Sequence, residues 1–239
     1  MLKIIDILNT SLTDFKDLVR LPKYSALIQR KMKIIIETAL SGNIEAKKIY
    51  LIERTDDSDI AQQAAEFVAS LDMEWCEINR GGVFSQFARS QAEEFLNDIK
   101  PGEVVMLRDF VLTDYCGYAW VNCHNDIFIE AKKGGFYSYW EGTGIPTHYL
   151  VAADGSVKLA DERSSSVYYM YDFEAKKWSR RETEQPETVC LTEHDIEAIR
   201  RILFNVNKAY HNVKVAWIKS RGSIVVFDIW IMFGQGVLE

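Results

Sequence analysis

Lys132-Lys133-Gly134-Gly135 is the first place where residue types and spacing suggest chemistry. Glycine lets the backbone turn sharply and approach a ligand closely. A turn of exposed N–H groups beside cations is one way to hold phosphate, although an ordinary hairpin turn has the same composition. Asp228 is the second. It interrupts an apolar run, with Ile224-Val225-Val226-Phe227 before it and Ile229-Trp230-Ile231 after it. A carboxylate inside such a strand is costly to bury unless it is paired or bound to metal; the plain alternative is a solvent-facing or arginine-paired Asp. Arg54 follows an apolar strand and precedes a polar loop. A guanidinium there can meet two phosphate oxygens at once, or pair with Asp56, Asp57 or Asp59. Glu130, after Ile127-Phe128-Ile129, is either a cleft acid or the outward position of a half-buried strand.

These residues need elements to position them. A stripe of Leu27, Ile28, Met32, Ile35, Ile36 and Leu40 predicts a helix over 24–41, stopped by Ser41-Gly42-Asn43. Lys48–Ile52 and residues 73–79 read as strands. Residues 58–71 read as an amphipathic helix capped by Ser58, and Phe84–Ile99 as another helix. A strand-rich centre runs from Val104 to Tyr171. In it, Val104–Leu107, Tyr118–Val121 and Ile127–Glu130 are strands, and 167–171 with 177–179 form a hairpin around Asp172-Phe173-Glu174-Ala175. The clearest helix is 192–210, with Thr192 as N-cap and Asp195 closing a capping-box-like start. Strands Val213–Lys219 and Ile224–Phe233 follow, joined by Ser220-Arg221-Gly222-Ser223.

With 239 residues the chain can bury a real core, as one large domain or two lobes. Its hydrophobic content of 48% and charged content of 26% are those of an ordinary globular protein. A net charge of −7 argues against general nucleic-acid binding. No run of eighteen apolar residues predicts a membrane span, and the first residues lack the pattern of a signal peptide. Cys76, Cys116, Cys123 and Cys190 show no C-x-x-C pair and no metal spacing with the histidines. This usage fits a reducing cytoplasm, with Cys116 and Cys123 as buried thiols.

The order of four segments resembles the nucleotide-binding domain of the phosphoenolpyruvate synthase and pyruvate phosphate dikinase family, an ATP-grasp fold. They are Val105-Met106-Leu107-Arg108-Asp109-Phe110-Val111, Cys116-Gly117-Tyr118-Ala119-Trp120-Val121, Ile129-Glu130-Ala131-Lys132-Lys133-Gly134-Gly135, and Gly142 with Pro146-Thr147-His148-Tyr149-Leu150-Val151. Leu191-Thr192-Glu193-His194-Asp195 is similar to the start of the family's next helix. Trp217, Gly222 and Ile224–Asp228 are similar to its last hairpin. Residues 50–59 resemble, more weakly, an upstream strand that carries an arginine, here Arg54.

The resemblance implies an α+β, ATP-grasp-like fold with a largely antiparallel central sheet and flanking helices. It implies an N-terminal α/β lobe over 1–100 and a nucleotide-binding lobe over 101–239. It also implies a protein that binds Mg-ATP for phosphoryl transfer to, or ligation of, a small substrate. The cofactors would be ATP and Mg²⁺. Arg54 and Lys132 would serve catalysis. Asp109, Phe110 and Val111 would hold the adenine edge, and Lys133, Gly134 and Gly135 the phosphates. Asp228 and Glu130 would hold metal. Nucleotide and a small-molecule substrate are the expected partners, with another protein chain as the supplier of missing parts; nucleic acid and membrane are not expected.

Departures from the family pattern support a second reading. Ala216 stands where the family has a metal-binding glutamate, Trp230 where it has an arginine, and Arg108 where it has a glutamine. The glycine-rich segment with a phosphate-binding lysine is missing. A degenerate, non-catalytic ATP-grasp domain acting as a nucleotide sensor or protein-interaction module is the alternative, because fold and function are separable.

Overall fold

The computed structural model describes residues 1–122 and 124–232. Cys123 and Phe233, the expected end of the last strand, lie outside the described residues. The chain divides into two compact units. The first holds Met1–Leu40, Lys47–Val111 and Phe173–Lys176; the second holds Ser41–Ala46, Leu112–Asp172 and the described residues from Lys177 to Met232.

The first unit runs β1 (Leu2–Asp6), α1 (Leu12–Leu18), α2 (Pro22–Ser25), α3 (Arg30–Leu40), β2 (Ile49–Arg54), α4 (Ala61–Ser70), β3 (Trp75–Arg80), β4 (Val83–Ala88), α5 (Ala92–Asn97) and β5 (Val104–Asp109). Its strands form one sheet in the order β1-β2-β5-β3-β4, and every neighbouring pair is antiparallel. Successive side chains of a strand point to opposite faces, so the apolar runs Leu51-Ile52 and Val105-Met106-Leu107 feed two cores. Ile52, Ile78, Phe87, Val105 and Leu107 pack with Ala64 and Leu96 from α4 and α5. Ile49, Leu51 and Met106 pack with Phe15, Tyr24 and Ile36 from the first three helices.

Three expectations change here. Residues 84–99 are not one helix. Gly81 and Gly82 both take positive φ, 58° and 89°, which folds β4 back onto β3 before a helix begins at Ala92. Ser58 does not cap α4, which starts after Ile60 with no side-chain cap; the Ser58 hydroxyl bonds Asp56 instead. The strand at 104–109 belongs to this first sheet, between β2 and β3, so the division falls after Val111 and not at residue 100.

The second unit runs β6 (Tyr115–Val121), β7 (Ile127–Lys133), α6 (Tyr137–Trp140), β8 (Thr147–Val151), β9 (Val157–Asp161), β10 (Ser164–Asp172), β11 (Lys177–Thr188), α7 (Glu193–Tyr210), β12 (Val213–Ser220) and β13 (Ser223–Ile231). Six strands form a fully antiparallel sheet in the order β13-β12-β6-β7-β8-β9, and β10 and β11 form a separate ribbon. The fold is therefore α+β and antiparallel throughout.

The α7 capping box is complete. The Thr192 hydroxyl accepts from the Asp195 N–H while the Asp195 carboxylate accepts from the Thr192 N–H. Asp195 is sealed from solvent and also accepts from Lys219 Nζ at 2.7 Å. That bond ties the start of α7 to β12. Ile196, Ile199, Leu203 and Val206 bury one face of α7, which packs on β12, β13 and β6. Ala119, Ile129, Val215, Trp217 and Ile229 form the buried face of the sheet. Among the described residues, no helix is long and apolar enough to cross a membrane.

Candidate functional site

Residues paired across antiparallel strands share a face. One row therefore runs across the whole second sheet: Asp228 on β13, Ala216 on β12, Tyr118 on β6, Glu130 on β7, His148 on β8 and Asp161 on β9. The adjacent row is Trp230, Lys214, Trp120, Phe128 and Leu150. Both rows lie opposite the α7 face. Apart from buried Ala216, their side chains are half-buried rather than sealed. This is a sheet face rich in aromatic rings, carrying one lysine, one histidine and three carboxylates.

Tyr118 is its centre. The Lys214 ammonium lies 4.1 Å from the Tyr118 ring centroid and 4.7 Å from that of Trp120. A cation held over two aromatic faces is attracted by both. Phe136, Tyr139 and Trp230 surround the Tyr118 ring at 5.2, 5.0 and 5.5 Å. Burial, and then Cys116 with the carboxylates of Glu130 and Asp228, push the Tyr118 phenol above its ordinary pKa. His148 Nε2 approaches Glu130 Oε1 at 3.5 Å, and the His148 ring packs near Phe128. The Tyr139 hydroxyl is buried without a hydrogen-bond partner among the described residues. Burial and the nearby acids hold its phenol well above the usual pKa.

The residues expected to act divide between the units. Arg54, Asp109, Phe110 and Val111 fall in the first; Glu130, Lys132, Lys133, Gly134, Gly135 and Asp228 fall in the second. Arg54 spends its guanidinium on three backbone carbonyls. Nε donates to Asp56 O, and the two terminal nitrogens to Ile99 O and Ser58 O, at 3.0–3.1 Å. It fastens loops at one end of β2, whereas Asp109 sits beside the other end, next to Lys48. Five residues of strand separate those ends, about 17 Å. At the expected adenine hinge, the Asp109 N–H donates to Lys48 O and the Phe110 N–H to Trp75 O, so both serve the sheet.

The Lys-Lys-Gly-Gly turn is packed and not open. The Gly134 N–H donates to Asp114 O and the Gly135 N–H to Tyr169 O. A Cβ on Gly134 would lie 2.4 Å from Tyr169 O, and one on Gly135 would lie 2.4 Å from the Trp178 ring. The glycines let the β10–β11 ribbon sit directly on this turn. Lys133 pairs with Glu187 at 2.6 Å and lies over the Tyr168 ring. Lys132 is buried. Its ammonium donates to Thr143 O at 2.7 Å and lies over Tyr139, and burial lowers its pKa. The recess beside them, lined by Lys132, Lys133, Ser138, Thr143 and Val189, has only about 10 Å³, room for about one water. These cations hold loops, and the turn offers no N–H nest for phosphate.

Asp228 and Glu130 share a row but not a site. Two strands, with Ala216 and Tyr118, lie between them. Three strand steps place their backbones about 14 Å apart, too far for both carboxylates to ligate one Mg²⁺ at about 2.1 Å. Among the described residues, no group of three or more His, Cys, Asp or Glu side chains could hold a metal. One carboxylate with waters and nucleotide phosphates is still an ordinary Mg²⁺ environment, and Asp228 fits that role. Lys214 was missed in the sequence because it alternates with apolar residues as any outward strand position does. The β12–β13 register that sets it beside Trp230 includes a bulge at Ala216/Trp217, which no local pattern reveals.

No protein-family model and no curated protein sequence matches the chain. Among solved structures, the chain is similar to the ATP-grasp ligase PsnB complexed with a minimal precursor. The TM-score is 0.42 and the identity 12%, covering 88% of this chain and 54% of that one. It is also similar to the VanG D-Ala:D-Ser ligase of Enterococcus faecalis, with TM-score 0.42 and identity 13%, covering 92% of this chain and 58% of that one. A third is PsnB with a phosphomimetic variant of the minimal precursor, Mg and ADP, at TM-score 0.39 and 10% identity, covering 92% and 56%. The chain thus spans little more than half the length of the structures it matches. Two of the three are structures of one ATP-grasp ligase and the other is a D-Ala:D-Ser ligase; none is a phosphoenolpyruvate synthase or pyruvate phosphate dikinase.

Proposed function

We propose that this chain is an ATP-grasp-like nucleotide-binding protein working in ATP-dependent ligation or phosphoryl transfer, with the half-open face of the six-stranded sheet as its nucleotide surface. The observation that carries the reading is Lys214 poised over Tyr118 and Trp120, with Asp228 and Glu130 flanking Tyr118 in one row. Aromatic rings supply apolar surface for a base, and a few convergent charges fix the orientation of a polar ligand. Lys214 supplies charge for a phosphate. Bound Mg²⁺ would neutralise charge building on the phosphates, and Asp228 is the residue that would hold it.

Ala216 opposite Asp228 favours a second reading, nucleotide binding without turnover, because the strand beside Asp228 brings no second ligand. A thermal-shift series with ATP, ADP and Mg²⁺ tests both. Ligand that binds only the native state raises the midpoint in proportion to the logarithm of its concentration. A rise with ATP that Mg²⁺ enlarges supports the first reading. A rise that Mg²⁺ leaves unchanged supports the second, and no rise at millimolar nucleotide removes both.

A further inference from the structure

Among the described residues, the two sheets end in four strands: β1 and β4 in the first, β13 and β9 in the second. A sheet edge presents a row of unpaired N–H and C=O groups, and folded proteins guard it with charge, proline, a bulge or a covering segment. Three of these edges are guarded. On β1, Lys3 and Asp6 are charged, and Gln63 Oε1 accepts the Leu2 N–H at 2.8 Å. On β13, Asp228 interrupts the apolar run, the pairing with β12 shifts register, and the Val226 N–H donates to Glu45 O at 3.5 Å. On β9, Lys158 and Asp161 are charged and the pairing with β8 shifts register. The ribbon is guarded too. Arg180, Arg181, Glu182 and Pro186 lie on β11, and the backbone of Tyr169 on β10 is taken by Gly135 and Ser138.

β4 has none of these devices. Val83-Phe84-Ser85-Gln86-Phe87-Ala88 holds no charge, no proline and no glycine, and its register with β3 runs unbroken from Val83 to Ala88. Arg80 and Val83 flank the Gly81-Gly82 turn and form the first hydrogen-bonded pair of a two-residue hairpin. Antiparallel pairs alternate. The N–H and C=O groups of Val83, Ser85 and Phe87 therefore turn to β3, and those of Phe84, Gln86 and Ala88 turn outward. Val83 is 68% exposed and Phe84 44%, although both are large and apolar. The strand is nonetheless firmly placed. Phe87 is buried in the core with Leu96, and Gln86 Nε2 donates to Glu77 Oε2 at 2.8 Å.

We infer that β4 is the pairing edge for a second copy of this chain, the two β4 strands running antiparallel across a two-fold axis at Gln86. Across such an axis a strand meets itself reversed, so a charge near the axis faces its own like charge and destabilises the pair. Uncharged β4 meets itself without that repulsion. Centring on Gln86 sets it against the partner's Gln86, and sets Phe84 against the partner's Ala88, a large side chain beside a small one. All three outward residues then exchange backbone bonds, about six in total, whereas centring on Ser85 would engage only Phe84 and Gln86. The first sheet is antiparallel throughout, so the joined sheet keeps one pairing pattern. A contact of this kind uses the same patch on both chains and closes at two.

Sedimentation equilibrium of the full chain, from about 1 to about 100 μM, tests the pairing. Wild type should show a reversible dimer. Gln86→Lys places two ammonium groups face to face across the axis, while each keeps Glu77 as a partner within its own chain. It should stay folded by circular dichroism and weaken the dimer at least about tenfold, more at low salt than at high. Gln86→Cys should give a covalent dimer on mild oxidation, because hydrogen-bonded partners stand about 5.5 Å apart at Cα, within reach of a disulfide. Ser85→Cys points to the other face and should cross-link no more than wild type, whose exposed Cys190 sets the background. A wild type that stays monomeric at about 100 μM overturns the inference. So does a dimer that Gln86→Lys leaves at full strength or that Gln86→Cys fails to trap, since it then forms through another face. Assemblies that grow beyond two chains overturn the closed two-fold.

Discussion

Replacing Gly134 with alanine separates packing from phosphate binding at the Lys-Lys-Gly-Gly turn. Gly134 has φ of +77°, and an added Cβ would sit 2.4 Å from Tyr169 O. An L-residue in the left-handed region costs roughly 1–2 kcal/mol. The Tyr169 carbonyl must also retreat, weakening its bond from the Gly135 N–H, for about 1 kcal/mol more. The total is about 2–3 kcal/mol against the second unit. With a urea slope of about 2–3 kcal/mol/M, the midpoint should fall by about 1 M. Tryptophan fluorescence reads it, since Trp178 packs on this turn. Nucleotide affinity of the folded variant should stay within about twofold, a shift below about 0.5 kcal/mol. An unchanged midpoint with a clear loss of nucleotide affinity would refute the reasoning and restore the turn as a phosphate loop.

Asp228→Asn should remove most of the Mg²⁺ enhancement of ATP binding, whereas Glu130→Gln should leave it intact, as calorimetry with and without Mg²⁺ would show; equal effects would mean that the two carboxylates share an ion. Asp195→Asn should lower stability by about 1–3 kcal/mol in urea titrations at neutral pH, because it weakens a charged contact to Lys219. Asp195 also gives a pH signature. Burial raises its pKa, but Lys219 and the Thr192 donors outweigh it and the net shift is downward from 3.8. A depressed carboxylate contributes stability that is present above its unfolded value and lost as the pH falls through its folded value. The urea midpoint of wild type should thus drop below a pH of about 4 more steeply than that of Asp195→Asn. Lys132→Met should destabilise the chain, by losing the Thr143 carbonyl bond, without lowering ATP affinity; calorimetry on the folded variant checks it.

Much of the second unit was legible in the sequence, and for local reasons. Thr192 and Asp195 write a capping box in four residues, and α7 follows where the 3.6-residue stripe places it. Asp228 stands out because its neighbours are apolar, and the structure does put it on the half-open face. What failed depended on distant pairing. Phe84 and Phe87 fit a helical stripe as well as a strand, and only the positive φ at Gly81 and Gly82 selects the hairpin. Lys132, Lys133 and the two glycines have the composition of a phosphate loop. Their donors are instead taken by Asp114, Tyr169, Thr143 and Glu187, residues outside the turn on both sides of it in the chain. Glu130 and Asp228 were joined as one metal site because the sequence does not count the strands between them. Lys214 was passed over because its meaning lies in its cross-strand neighbours Trp120 and Trp230.

The central claim is that nucleotide binds on the half-open face of the six-stranded sheet through Lys214. Calorimetric titration of ATP into wild type and Lys214→Gln tests it most directly. The Lys214 side chain lies half-buried over the half-buried Tyr118 and Trp120, so the chain should remain folded without its ammonium. Losing a charge-assisted contact of roughly 1.5–3 kcal/mol should weaken ATP binding by about tenfold or more, with adenosine binding less affected. ATP binding of undiminished strength in the folded Lys214→Gln variant would contradict the account.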